Sequence, residues 1–322
     1  MATVAEATDA VFDEACARLR GGGLVAFPTE TVYGLGADTF SSRGLEAVYA
    51  LKGRPADNPL IAHVSGTLVA RNITIGWDER CDRLAERFWP GPLTIVLDRA
   101  ANVPPEAAGG RDSLAVRAPR HPLARRLLEA FGGAISAPSA NRSGHVSPTS
   151  ASHVAADFPE ADLLILQGGP CTVGIESTVL DMREKMPRLL RPGSVTVSEI
   201  EASIGPIDAR GVASQSDSPG TTAAHYAPET PAELVEPEQL AAHLDNLEER
   251  AAVLCFDVQA VRAPHHGIEM PQGAGDYGAH LYEALRRADA VGVDRIVIEM
   301  PPQSNQMWDA VLDRLARACT GA

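Results

Sequence analysis

The most restrictive feature of this chain is a series of short apolar runs, each halted by a Pro, a Gly or a polar loop. Leu24–Phe27 runs into Pro28, and Leu60–Val64 follows Asn58-Pro59. Leu93–Leu97 follows Pro90-Gly91-Pro92, and Leu114–Arg117 stops at Pro119. Ala134–Ala137, Leu163–Leu166, Ser177–Asp181 and Arg188–Arg191 continue the series. Runs of this length bounded by turn residues read as buried strands. Between them, apolar residues return at helical spacing over Val11–Leu19, Ser41–Leu51, Cys81–Phe88 and Pro122–Ala130. Gly21-Gly22-Gly23 stops the first of these helices, and a Ser caps the second. Helices and strands mix without strict alternation, which predicts an α/β domain with a twisted, mixed sheet and helices packed on it.

A change of composition divides the chain. From about Asp208 to Pro231 the residues are small, polar and turn-rich, most of all over Gly211–Gly220, and read as a linker. Beyond it come a helix at Gln239–Leu247, a strand at Ala251–Phe256, a helix at Gly278–Ala290, a strand at Arg295–Glu299 and a helix at Trp308–Ala318. This alternation predicts a small Rossmann-like α/β domain. It holds no G-x-G-x-x-G after a strand, so no dinucleotide site is expected. The predicted division is residues 1–207, 208–231 and 232–322.

Charge narrows the function. The chain of 322 residues carries a net charge of -14, which argues against stable binding to duplex nucleic acid, since that needs clustered Lys and Arg. Its five Cys are dispersed without a C-x-x-C pair, so no zinc or redox motif follows. No apolar run approaches the roughly 20 residues that span a bilayer, and the N-terminus lacks signal-peptide character. The expectation is a soluble cytoplasmic protein without a membrane partner.

The chemistry-bearing residues lie in loops at strand and helix ends. Thr29, Thr31 and Tyr33 bring hydroxyls to a loop beside Gly34; a small polar ligand or a simple hydroxyl-rich turn both suit that pattern. Lys52-Gly53-Arg54 places two cations around a flexible residue, suited to phosphate oxygens or to solvated charge at a helix C-terminus. His63 and Arg117 each end an apolar strand. The first reads as a core histidine or a ligand contact, the second as half of an ion pair or an anion binder. Ser136–Gly144 follows a strand and leads to Ser147-Pro148-Thr149, read as a helix start with Pro at its first position. Hydroxyls and amides there make an anion seat or plain capping chemistry. Cys171 has no His placed beside it by any motif and reads as a buried thiol.

Taken in order, these loops form a recognisable set: FPTETVYGLGA at Phe27–Ala37, KGRPADNPL at Lys52–Leu60, LAVRAP at Leu114–Pro119, APSANRSGHVSPT at Ala137–Thr149, GGPCTVGIESTVLD at Gly168–Asp181, LLRPG at Leu189–Gly193 and HYAP at His225–Pro228. The chain resembles the threonylcarbamoyl-AMP synthase family in its long form, with a YrdC-like catalytic domain, a linker and a small C-terminal domain. The resemblance spans about Val11 to Ala318. It implies a nucleotidyltransferase that condenses L-threonine, bicarbonate (or CO2) and ATP to threonylcarbamoyl-adenylate and pyrophosphate. The product would pass to a tRNA threonylcarbamoyl-transfer complex. It further implies an L-threonine side made of Thr31, His63, Arg117, Ser177 and backbone near Ala137. An ATP side would comprise Lys52, Arg54, Asn58, Ser113, Ser139, Asn141, Ser147 and Arg191, with Tyr226 folding over the nucleotide. Lys52 and Arg54 would be catalytic, so that Lys52→Ala or Arg54→Ala lowers turnover and spares the fold. Mg²⁺ would arrive with ATP, held by phosphates rather than by dedicated protein ligands. In one respect the chain departs from the pattern: Thr221–Ala224, between Pro219-Gly220 and HYAP, has no cation where the family often carries basic residues. Direct RNA binding and carbamoyl transfer are the competing readings of the same pocket.

Overall fold

The computed structural model describes residues 1–209 and 226–320. The Gly211–Gly220 stretch, Thr221–Ala224 and His225 lie outside the described residues. The strands in chain order are β1 Thr3–Glu6, β2 Val25–Phe27, β3 Gly34–Asp38, β4 Ile61–His63, β5 Thr74–Ile75, β6 Leu93–Arg99, β7 Ser113–Arg117, β8 Ile135–Ala137, β9 Leu164–Gln167, β10 Thr178–Asp181 and β11 Arg188–Arg191, then β12 Ala232–Val235, β13 Ala251–Cys255, β14 His266–Glu269 and β15 Arg295–Glu299. The helices are α1 Asp9–Arg20, α2 Ser42–Lys52, α3 Thr67–Ile73, α4 Glu79–Phe88, α5 Pro122–Phe131, α6 Ala151–Asp157, α7 Val197–Ile204, α8 Pro237–Asn246, α9 Ala274–Ala290 and α10 Met307–Cys319.

The first eleven strands form one sheet, in the order β1-β9-β2-β3-β8-β4-β7-β6-β10-β11, with β5 added beside β6. It is mixed, as the sequence predicts: β4 runs parallel to β7 and antiparallel to β8. Apolar side chains from α2, α3, α4, α6 and α7 cover one face (Leu45, Val48, Ile73, Leu84, Val154 and Ile200 among them). Phe12, Leu19, Leu127 and Leu128 of α1 and α5 build a second core on the opposite face, against β2, β8 and β9. Register does the positioning. Because β4 and β7 pair with His63 opposite Arg117, two residues distant in sequence arrive side by side. Ile61 opposite Ala137 brings in β8 from the other side.

The second unit is a four-stranded, all-parallel sheet in the order β12-β15-β13-β14, with α9 and α10 contributing to one apolar cluster and α8 to another. Parallel neighbours need long crossovers, usually helical, and α8 and α9 follow β12 and β14 in the chain. The two units share a core: Val32, Val146, Ile175 and Tyr226 pack in one cluster with Tyr277, Leu281 and Trp308. Polar contacts bind the same junction. Arg286 of α9 donates to both carboxylate oxygens of Asp157 at 3.0 and 2.7 Å, and His153 lies 2.9 Å from Glu283.

At Gly174 the junction tolerates no side chain. Its φ is +75°, and a Cβ would stand 2.4 Å from the Ala279 Cα of helix α9. Gly174→Ala is therefore expected to cost about 2–4 kcal/mol from combined strain and overpacking. Thermal unfolding should show Tm lower by roughly 5–10 °C for a chain of this size. An unchanged Tm would mean that the two units yield at this contact.

One local reading is corrected. The predicted helix start at Ser147-Pro148-Thr149 lies outside any helix, and α6 begins at Ala151 with Ser150 as its cap. The competing interactions are long-range: Tyr33 N–H donates to Pro148 O and Cys171 N–H to Thr149 O, both at 2.9 Å. The loop read at Pro28–Leu35 is shorter than expected, because β3 already starts at Gly34 and pairs with β2.

Candidate active site

Eight chain segments converge on one cavity. The β2–β3 turn supplies Thr31, the turn after α2 supplies Arg54, and β4 and β7 supply His63 and Arg117. Ala137 and Ser139 come from the end of β8; Glu176 and Ser177 come from the approach to β10. Arg191 at the end of β11 and Tyr226 complete the lining.

Local folding explains each placement. Thr29 closes the β2–β3 turn on itself, its Oγ1 accepting from Thr31 N–H and Val32 N–H and donating to Val32 O. Tyr33 turns away from the cavity, and its hydroxyl donates to Gly169 O at 2.9 Å. Helix α2 ends at Gly53 with φ +61°, a left-handed cap that a glycine adopts without strain. This reversal carries both flanking cations inward instead of leaving them solvated: Lys52 is 3% and Arg54 7% exposed. Arg54 donates to Asn58 O at 3.0 Å, to Asn58 Oδ1 at 2.5 Å and to Pro59 O at 2.9 Å. The Lys52 ammonium donates to Ser139 O at 2.7 Å, to Asn141 O, and to Asn141 Oδ1 at 3.3 Å.

Charge at the site is unevenly balanced. Arg117 is compensated: its Nη2 lies 2.7 Å from Glu30 Oε1, Nη1 donates to Thr31 Oγ1 at 2.8 Å and Nε to Gly91 O at 3.1 Å. Burial pushes the Glu30 carboxyl up, but the Arg117 charge and the hydrogen bonds to it outweigh burial and hold it below the usual carboxylate range. Lys52 and Arg54, by contrast, have no carboxylate within 4.0 Å among the described residues, and all their acceptors are neutral oxygens. Burial is the main cause that depresses both, Lys52 well below its ordinary value and Arg54 to about 10. Arg191 adds a further buried guanidinium, donating to Ser177 O at 3.1 Å and to Ser177 Oγ at 3.2 Å. Burying Lys52 and Arg54 with no carboxylate beside them is costly. An anionic ligand in the cavity would offset that cost.

His63 stands against Phe27, edge to face, with Nδ1 3.0 Å from Ile61 O. Burial, then the Arg117 charge, pushes its pKa down to about 3. The folded value is below the unfolded value of about 6.5, so the unfolded chain takes up the proton first. Stability from this group is complete above about pH 6.5 and declines as pH falls toward 3. The His63 imidazole signals in an NMR titration should not move between pH 5 and 9. A midpoint near 6.5 would contradict this burial.

Of the residues singled out from the sequence, Thr31, Arg54, His63, Arg117, Ala137, Ser139, Ser177, Arg191 and Tyr226 line one cavity. Lys52, Asn58, Asn141 and Ser147 stand behind that lining and bond to it: Lys52 to Ser139, Asn58 to Arg54, Ser139 to Asn141, and Ser147 to Glu176. Ser113 is buried at the far end of β7, four residues from Arg117. The Ser147 hydroxyl is engaged at 2.7 Å by Glu176 Oε1 rather than presented at a helix N-terminus. Sequence reasoning passed over Glu30 and Glu176. Each sits inside a quoted motif, and a buried Arg at a strand end needs an acidic partner; that signal could have found Glu30. Burial pushes the Cys171 thiol well up, which suits an inert side chain.

An α/β sheet whose strand ends enclose a cation-rich cavity, with a compensated Arg and small hydroxyls at one end, defines an enzyme class that gathers anionic substrates. Comparison with known proteins names it further. Residues 17–193 match a family profile described as "Telomere recombination", and residues 195–320 match one described as "Threonylcarbamoyl-AMP synthase, C-terminal domain". The chain is 38% identical to the Bacillus subtilis threonylcarbamoyl-AMP synthase, covering 96% of this chain and 92% of that one. Identity to the Pyrococcus abyssi protein of that name is 39%, over 93% and 91% of the two chains. The crystal structure of P. abyssi Sua5 complexed with L-threonine superposes with a TM-score of 0.90 at 36% identity, covering 99% of this chain and 97% of that one. Escherichia coli YciO, at 20% identity and a TM-score of 0.52, shares the fold over 60% of this chain. The chain belongs to the threonylcarbamoyl-AMP synthase family.

Proposed function

We propose that this chain condenses L-threonine, CO2 supplied as bicarbonate, and ATP into threonylcarbamoyl-adenylate and pyrophosphate, a nucleotidyl transfer that feeds the threonylcarbamoyladenosine modification of tRNA. The observation that carries the reading is the pair of buried cations, Lys52 and Arg54, without a carboxylate partner among the described residues, beside a cavity. The neutral amine of threonine adds to CO2, loses a proton and becomes a carbamate. A carbamate oxygen attacks the α-phosphorus, and the bond to pyrophosphate breaks. Both reactants are anions, so the obstacle is their mutual repulsion and the charge that develops on the phosphoryl group.

Each end of the cavity answers one part of that problem. Arg117 retains N–H groups beyond those given to Glu30, Thr31 and Gly91, and would take the threonine carboxylate. Thr31, His63, Ser177 and the backbone at Ala137 surround the same end. Neutral His63 adds no charge there. Arg54 and Arg191 would face the phosphates, with Ser139 at the cavity wall. Lys52 would act from behind by holding the Ser139–Asn141 backbone and adding its positive field, and Asn58, Asn141 and Ser147 would position the lining residues they bond. Tyr226, 1% exposed and lining the cavity, would exclude water from the short-lived carbamate. Its neighbour Ala227 is tied to the loop after β8 by a 2.9 Å hydrogen bond to Gly144 O.

Among the described residues no group of three or more His, Cys, Asp or Glu gathers to hold a metal; Glu176, which lines the cavity, and Glu30, which lies behind Arg117, are each paired with an Arg. That donor set fits a Mg²⁺ bound through ATP phosphates, where it would neutralise phosphate charge. No described helix is long and apolar enough to cross a membrane. The test is pyrophosphate release with each substrate withheld in turn. Release should require ATP, bicarbonate and L-threonine together and fall sharply with L-serine. Release independent of threonine would contradict the reading.

A further inference from the structure

Among the described residues Glu176 is the carboxylate that lines the cavity, and its charge is answered from the second unit. Arg314 of α10 is fully buried, and its Nε donates to Glu176 Oε2 at 3.0 Å. Its Nη2 donates to the Glu176 backbone oxygen at 3.3 Å, and its Nη1 donates to Pro192 O at 2.9 Å and to Asp313 Oδ2 at 2.8 Å. Tyr282 of α9 donates its hydroxyl to the same Glu176 Oε2 at 2.9 Å. The other carboxylate oxygen accepts from Ser147 of the first unit at 2.7 Å. Tyr226 is built into the cluster, stacked on Tyr282 at 5.6 Å with the Arg314 guanidinium 5.6 Å from its ring centre.

We propose that Arg314 and Tyr282 are positioning residues for the nucleotide end of the cavity, pinning the Glu176 carboxylate and cancelling its charge so that a triphosphate can enter beside it. The inference rests on the reading that this cavity takes ATP. An ionised carboxylate bordering the same space as Arg54 and Arg191 would otherwise oppose phosphate oxygens and compete for the cations meant for them. Three acceptor bonds on the carboxylate hold it in one rotamer, and two of them come from the second unit. The contribution of the second unit to the reaction is on this account electrostatic: it delivers a cation through the back wall of the first unit's pocket. Chains that carry only the first unit must balance the site in another way.

The test is equilibrium binding of the ATP analogue AMPCPP, with KM for ATP and kcat, for the wild type, Arg314→Met, Arg314→Lys and the double variant Glu176→Gln/Arg314→Met. Arg314→Met leaves an uncompensated buried carboxylate at the site and should weaken AMPCPP binding and raise KM about 100-fold. Its kcat at saturating ATP should change far less. The double variant removes both charges together and should recover binding to within about 10-fold of the wild type. Should Arg314→Met prove too unstable to purify, Arg314→Gln takes its place as the variant that leaves the carboxylate uncompensated: it should bind AMPCPP far more weakly than the charge-conserving Arg314→Lys, and equal binding by the two overturns the proposal. Wild-type affinity in Arg314→Met, or a double variant that binds no better than the single one, overturns the proposal. AMPCPP binding is read without any product. A wild type that shows these binding effects but makes no threonylcarbamoyl-adenylate therefore sinks the synthase reading alone.

Discussion

Arg54→Ala is expected to lower kcat/KM for ATP by about 100- to 1,000-fold, the loss seen when one preorganised donor is removed from developing oxyanion charge, while Tm moves by no more than about 3 °C. The guanidinium has three acceptors, all on Asn58 and Pro59, so its removal disturbs one turn. It also relieves the cost of burying a cation that has no carboxylate within reach among the described residues, and the two effects on stability oppose each other. Lys52 behaves differently. Its ammonium holds the carbonyl oxygens of both Ser139 and Asn141, so Lys52→Ala loosens the loop after β8 and loses stability and activity together. The two variants are therefore expected to differ: Arg54→Ala spares the fold, and Lys52→Ala does not. Pyrophosphate release and thermal unfolding, measured on the same preparations, check the contrast. A large Tm loss in Arg54→Ala with modest kinetic loss would make Arg54 a structural residue.

The second large effect concerns Arg117. Arg117→Met leaves Glu30 buried with its strongest counter-charge gone, keeping only partners such as the Arg120 N–H at 2.9 Å. Breaking a buried pair by removing one partner costs about 3–5 kcal/mol, so unfolding in urea should shift by that amount. The double variant Glu30→Gln/Arg117→Met removes both charges and should regain most of the stability. It should not regain threonine: with the guanidinium gone, KM for L-threonine stays raised by about 100-fold, in line with loss of a charge-assisted contact to a carboxylate. The pair of variants separates the two tasks of one side chain. Recovery of threonine affinity in the double variant would show that Arg117 serves the fold and not the substrate.

Much of this arrangement is legible in the residues. Short runs such as Leu60–Val64 and Leu114–Arg117 declare strands because Pro and Gly bound them, and the mixed sheet follows from their irregular alternation with helices. Elements without a periodic apolar signal escape. Strand β3, Gly34–Asp38, reads as a loop because Gly supplies no side chain, and it forms because Val25–Phe27 and Ser136 offer backbone on both sides. Strand β14 carries a single buried apolar residue, Ile268, and depends on β13 for its pairing. The same limit applies at the site. Lys52, Arg54, His63 and Arg117 announce themselves by charge at the end of an element, although each has a bland reading that only burial removes. Glu176 and Arg314 lie 138 residues apart, and nothing local in either segment predicts their pairing. Tertiary packing, here the docking of α10 against the residues before β10 and after β11, decides it.

The central claim is that one cation-rich cavity brings a threonine carbamate and ATP together. The direct measurement is mass spectrometry of a reaction containing the protein, ATP, Mg²⁺, L-threonine and ¹³C-bicarbonate, run beside Arg54→Ala. The account predicts threonylcarbamoyl-adenylate carrying the label, formed in step with pyrophosphate by the wild type and nearly lost in the variant. ATP cleavage with no labelled adenylate, or equal labelled product from both proteins, would contradict it.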